Sequence, residues 1–171
     1  MTTDKFDSSP FALLLLAKDA KFKPEYQTGK VSTAPASEVI RQRVRLAEWP
    51  IYPQTRHQQF MIEGQRLLLY AAGNKNLSQH VVGVATIDKL NRNVATTSSD
   101  SPYQMPQPSL ILELTRVLVL TQPFDVKSNR RELSFFRLPG HFWYTSLQGG
   151  CVPIGQRDWL FFCEATGVKY S

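Results

Sequence analysis

Apolar residues in this chain fall into short blocks separated by polar, Pro- and Gly-containing stretches. Residues 11–17, FALLLLA, show no polar alternation and are short, a pattern that predicts a central strand covered on both faces. Residues 67–72 and 80–87 are two further β-rich runs, joined by a polar loop with Gly and Asn at 73–79. That arrangement predicts an antiparallel hairpin. Residues 110–120 are the longest strand candidate. Their even positions are apolar except Arg116, while Glu113 and Thr115 interrupt the odd series, so a bulge near Arg116 is expected, with Pro123 ending the strand. A last strand of β-formers, HFWYTSL, is expected at 141–147, before Gly149 and Gly150.

Helical spacing takes over in three places. Ser37 is expected to cap a helix in which Ile40, Val44 and Ala47 share one face and Arg41, Arg45 and Glu48 share another. Pro50 and Pro53 prevent its continuation, which makes residues 49–57 a loop. A short basic helix is expected over 128–138, bearing Arg130 and Arg131. A final helix over 156–166 should bury Trp159, Phe162 and Cys163 and stop at Gly167. Residues 1–9 read as frayed. Residues 18–36, with four lysines, and 88–109, with three prolines, read as loop insertions; the second should bury little and form a mobile or binding loop. Strand, helix, hairpin, long strand, short helix, strand, helix is an α+β order. With a bulged sheet it predicts a curved β-barrel or half-barrel with flanking helices.

Composition narrows the class. With 171 residues and 42% hydrophobic content, the chain suits one domain over 1–171 with a real core. No apolar run reaches the roughly 20 residues of a membrane span, and 11–17 is too short for a signal-peptide core. Two cysteines, Cys151 and Cys163, make no disulfide framework, so a reducing cytoplasm is the default compartment. The net charge of +6, from 20 Lys and Arg against 14 Asp and Glu, admits a polyanionic partner without requiring one.

Catalytic motifs are not evident. There is no glycine-rich phosphate cradle or nucleophile elbow. His57, His80 and His141 with the two cysteines give no zinc-ligand spacing, so no metal or cofactor is expected. Cys151 and His141 lie ten residues apart, but a thiol followed by Val-Pro is more simply a small packing residue.

Between residues 49 and 87 the order of features is Trp49, Arg56-His57, a Gly64-Gln65 turn, a strand ending near Tyr70, Gly73, and Val82-Gly83-Val84. This order resembles the EVE domain of the PUA-like superfamily, which usually has Asp where Gln65 stands. The last third extends the likeness through Trp143-Tyr144, Gly149-Gly150 and Asp158-Trp159. The resemblance covers roughly residues 11–165 and implies a PUA-like barrel that reads a modified nucleobase in DNA or RNA, in defence or RNA handling. Any cleavage would come from an effector partner.

In such a site an aromatic ring stacked on a base contributes roughly 1–3 kcal/mol. A base taken from a duplex must first be flipped out. The residues the resemblance nominates for the base are Trp49, Tyr52, Arg56, His57, Tyr70, Trp143, Tyr144 and Ser146, with Gln148 beside them. Candidates for the nucleic-acid backbone are Arg41, Arg45, Arg130 and Arg131. On this reading Trp49→Ala should weaken base binding and leave the fold intact.

Two alternatives stay open. One is an amidohydrolase on modified nucleosides, similar to the ASCH group, with Thr115, Glu113 and Lys89 as candidates. The other is a protein-interaction module whose aromatic residues are core.

Overall fold

The computed structural model describes residues 9–73, 75–94, 101–136 and 147–170. Its frame is a curled six-stranded sheet in the order β4-β7-β6-β5-β1-β8. The strands are β1 (Ala12–Ala17), β4 (Glu48–Ile51), β5 (Arg66–Ala71), β6 (His80–Asn91), β7 (Leu110–Asp125) and β8 (Cys151–Ile154). A small ribbon of β2 (Ala20–Lys21) and β3 (Thr33–Ala34) stands apart from this sheet. Among the described residues three α-helices accompany it: α1 (Ala36–Leu46), α2 (Val126–Asn129) and α3 (Gln156–Thr166).

The unbroken apolar run explains β1. Leu13, Leu15 and Ala17 join one core, with Val39 and Ile40 of α1, while Ala12 and Leu14 join the other, with Trp159 and Phe162 of α3. A strand with a core on each side has no polar face to offer. β1 pairs in parallel with β5, Leu13 opposite Leu67 and Ala17 opposite Ala71, and antiparallel with β8. The hairpin of β5 and β6 forms as expected, and its entry turn closes through the Gly64 amide donating to the Ile87 carbonyl at 2.8 Å.

The bulge near Arg116 is also present. Arg116 has φ +50°, and the β6–β7 register slips between Val84↔Leu118 and Thr86↔Thr115. A bulge shortens one side of the ladder and curls the sheet there.

Several expectations need correction. β7 does not stop at Pro123 but runs on to Asp125. The ladder jumps from Gly83↔Val119 to Val81↔Phe124, so Pro123 sits in the looped-out part where no ladder amide is required. The basic helix is a single turn, α2, followed by turns through Arg130 and Arg131. Ser37 is not the cap of α1: Pro35 occupies that position, and the free Ala36 amide donates instead to Asp19 Oδ1 at 2.8 Å. Residues 48–51 form strand β4 rather than a loop. Cys151–Ile154 is a strand that the turn-like neighbours Gly150 and Pro153 conceal.

The second insertion does bury surface. Tyr103 is buried against Phe22 with ring centroids 5.4 Å apart. Lys23 N and Gln104 N donate across this join to Pro102 O and Lys21 O, each at 2.8 Å. The expected strand over 141–147 lies outside the described residues except for Leu147, which is buried in the α3-side core.

Candidate functional site

Parallel pairing of β1 and β5 sends both chains out of the sheet at one rim. β8, antiparallel to β1, enters at that same rim, where Leu16 N donates to Gly150 O at 3.0 Å. Three chain segments therefore converge: 18–21, 72–73 and 147–150. The end of β4 and residues 104–106 complete the wall. Between them lies an open cleft of about 910 Å³ whose lining includes Trp49, Tyr52, Tyr70, Lys18, Lys21 and Gly149. Such a volume lies in the range of small-molecule sites.

Two glycines allow the walls to close up. Gly149 has φ +93°, and a Cβ there would lie 2.6 Å from Arg56 Cδ; the Arg56 amide donates to Gly149 O at 2.8 Å. A Cβ on Gly73 would overlap Asp19 Oδ1, the atom that holds the start of α1.

A second cleft of about 500 Å³ adjoins the first and shares Arg43, Pro50, Tyr52, Gln104, Met105 and Pro106 with it. It runs between α1, β4 and residues 101–108. Arg43 is the residue that sequence reasoning passed over. It is buried at 8% exposure, with its guanidinium carbon 4.4 Å from the centre of the Trp49 ring. Burial pushes its pKa down to about 10, against the pull of the Tyr52 phenol, so it stays charged at neutral pH. Tyr52 is itself raised by burial, with Arg43 opposing the shift, and its hydroxyl donates to Met105 Sδ at 3.3 Å. No carboxylate lies within ion-pair distance of Arg43 among the described residues.

The structure gathers part of the expected site. Trp49, Tyr52 and Tyr70 all line the larger cleft, and so does Gln148. Trp49 is only 1% exposed, because β4 alternation turns it inward with Ile51. It is a core residue that forms the floor, so Trp49→Ala is expected to destabilise the fold rather than spare it. Tyr70, 2% exposed, is a buried wall whose hydroxyl is held well above the usual phenol range by burial first and Asp125 second.

Arg56 is exposed and packs beside Gly149 at the rim. His57, at φ +61°, stacks on Phe60 with centroids 6.2 Å apart and does not line the cleft. Trp143, Tyr144 and Ser146 lie outside the described residues.

The backbone candidates are more scattered. Arg41 is exposed and paired with Glu38 at 2.8 Å, and Arg45 donates to Gln42 Oε1 at 2.7 Å. Arg130 donates to Lys127 O at 3.1 Å, and neither it nor Arg131 lines either cleft. For the amidohydrolase alternative, Lys89 does face Glu113 across the β6–β7 ladder, but neither they nor Thr115 line a cleft. No helix among the described residues is long and apolar enough to cross a membrane.

No protein-family model and no curated protein matches the sequence. Solved structures do match in shape. The DUF55 domain of human thymocyte nuclear protein 1 superposes with a TM-score of 0.56 at 14% identity, covering 92% of this chain and 99% of that one. The human THYN1 protein in complex with 5-methylcytosine-containing DNA gives 0.55 at 12% identity, with 93% and 99% covered. A hypothetical protein from Leishmania major gives 0.58 at 14% identity, with 92% and 95% covered.

Proposed function

From the premise that this chain has the EVE-domain fold of the PUA-like superfamily, we propose that it is a non-enzymatic module that binds nucleic acid and holds a modified nucleobase in the larger cleft. The observation that carries this reading is the combination of flat rings, basic residues and volume in one place. Trp49, Tyr52 and Tyr70 share the lining of a cleft of about 910 Å³ with Lys18 and Lys21. A base is a flat apolar plate with a polar rim. A ring face stabilises the plate by roughly 1–3 kcal/mol, and edge hydrogen bonds discriminate. The shape likeness to a protein solved with 5-methylcytosine-containing DNA supports the choice of ligand class.

On this reading Tyr52, half-buried at the junction of the two clefts, offers the accessible ring, while Trp49 and Tyr70 shape the floor and wall. A base held in a duplex reaches the cleft by flipping, at a cost of a few kcal/mol that the preformed walls offset. Each buried methyl carbon on the base adds roughly 0.8 kcal/mol, which is how an apolar wall distinguishes a modified base from its parent. Arg56 beside Gly149 and Gln148 on the lining are proposed for edge or backbone contacts, and Trp143, Tyr144 and Ser146 remain candidates for the same site.

The test is fluorescence titration of short oligonucleotides that differ only at one central base: cytosine, 5-methylcytosine, adenine and N6-methyladenine, each in single- and double-stranded form. A preference of several-fold for one modified base is the expected result, with affinity for that base reduced about ten-fold in Tyr52→Ala. Equal affinity for all the oligonucleotides would remove the reading.

A further inference from the structure

We propose that the smaller cleft is a phosphate site in its own right, with Arg43 as its charged anchor and Lys23 as a second positive charge on its lining. The argument starts from the cost of what the cleft contains. A buried cation without a counter-ion is expensive, and the expense is relieved when an anion enters beside it. Arg43 is more than nine-tenths buried and has no carboxylate within ion-pair distance among the described residues. Its guanidinium is immobilised on the Trp49 ring, so little side-chain freedom is lost when it binds.

Arg43 lines the smaller cleft, and Lys23 adds a second positive charge to that lining. Two cations, one of them buried, call for a ligand that offers only acceptors, and a phosphate is such a ligand. Glu48, the one carboxylate there among the described residues, has interactions of its own.

The source of the phosphate follows from position. The smaller cleft opens into the larger across Arg43, Tyr52 and Met105. A nucleotide whose base lies in the larger cleft would have a chain phosphate to place in the smaller one. This assignment of source rests on the nucleobase reading; the phosphate site itself does not, since free phosphate has the same chemistry.

The experiment separates the two. Binding is measured by titration with inorganic phosphate, with a short oligonucleotide carrying an abasic analogue at its centre, and with the same oligonucleotide carrying a base. Arg43→Met, which keeps an apolar stem over Trp49, is expected to weaken all three ligands by about ten-fold, and to lower the salt-dependence slope for the oligonucleotides by about one. Lys23→Met should weaken them by a smaller factor. Unchanged affinity for phosphate and for the abasic oligonucleotide overturns the proposal, as does a loss confined to the base-bearing ligand. If the abasic and base-bearing ligands bind the parent equally, the nucleobase reading falls and the phosphate site stands.

Should Arg43→Met fail to fold, NMR of the parent protein decides. Phosphate titration must then move the Arg43 side-chain signals, and shifts restricted to other residues refute the site.

Discussion

Replacing Trp49 with alanine should unfold the protein before it reports on binding. Trp49 is 1% exposed and belongs to the core that includes Leu15, Ile40 and Ile51. Deleting a buried aromatic ring costs about 3–5 kcal/mol through lost transfer energy and the cavity left behind. Loss of the Arg43 stack adds about 1 kcal/mol and leaves a buried guanidinium without its ring. The sum is set against a total stability of about 5–15 kcal/mol for a domain. At about 2–4 °C per kcal/mol for a chain of this size, Tm should fall by about 8–24 °C. The assay is thermal melting followed by circular dichroism, with urea titration to confirm an unchanged slope. A Trp49→Ala protein that melts within about 2 °C of the parent, yet loses ligand, would refute the reasoning. It would mean that the ring is a removable platform and not part of the core.

Three further outcomes are expected. Gly149→Ala places a side chain at φ +93° and 2.6 Å from Arg56 Cδ, so it should cost about 1–3 kcal/mol in urea denaturation and move the Arg56 signals in NMR; neutrality would show that the rim is loose. Cys151 is a buried thiol whose pKa burial pushes up to about 12. It should therefore resist iodoacetamide at pH 8 in mass-spectrometric labelling until the chain unfolds. Because the folded value lies above the unfolded one, its contribution is complete below the ordinary thiol pKa near 9 and declines as pH rises towards about 12. An alkaline stability curve that is unchanged in Cys151→Ala would contradict this. Asp158, 2% exposed, accepts from Ser134 N at 2.9 Å and Ser134 Oγ at 2.6 Å. Asp158→Ala should cost about 1–3 kcal/mol, and a double-mutant cycle with Ser134→Ala should show coupling above about 0.5 kcal/mol; additive losses would deny the pair.

What the sequence discloses depends on whether a local rule decides the element. α3 spans Gln156–Thr166 as read, because its aromatic spacing, Gly155 and Gly167 all act within the helix itself. β1, the β5–β6 hairpin and the Arg116 bulge were legible for the same reason: one core on each side, a polar loop, and a charged residue breaking an alternation. β8 was not legible, since its strand character comes from pairing with β1 far away in sequence. The fate of Pro123 was decided by a loop-out in the ladder, which no propensity records. Trp49 was taken for a loop aromatic because two prolines flank it, whereas pairing with Leu112 makes it an inward strand residue. Arg43 is the most instructive miss. It lies three residues after Ile40 and four before Ala47, so helical spacing already put it on the apolar face. A charged residue on that face was the available signal.

The two clefts have different structural origins, and this bears on how the site works. The larger is built at the exits of β1 and β5 and the entry of β8, so its walls inherit the rigidity of a sheet with a core on each side. The smaller depends on residues 101–108, which are held where they meet 21–23, through the Phe22–Tyr103 ring contact and the two backbone hydrogen bonds beside it, and at Met105, whose Sδ accepts from the Tyr52 hydroxyl. Local opening concentrates where backbone hydrogen bonds and buried contacts are few. The smaller cleft is therefore the part expected to widen first. Arg43 and Trp49, anchored on α1 and β4, stay in place while it does so. A ligand can thus be gripped by a charge fixed on the core while one wall adjusts around it. That arrangement suits a partner whose phosphates are uniform and whose neighbouring groups are not.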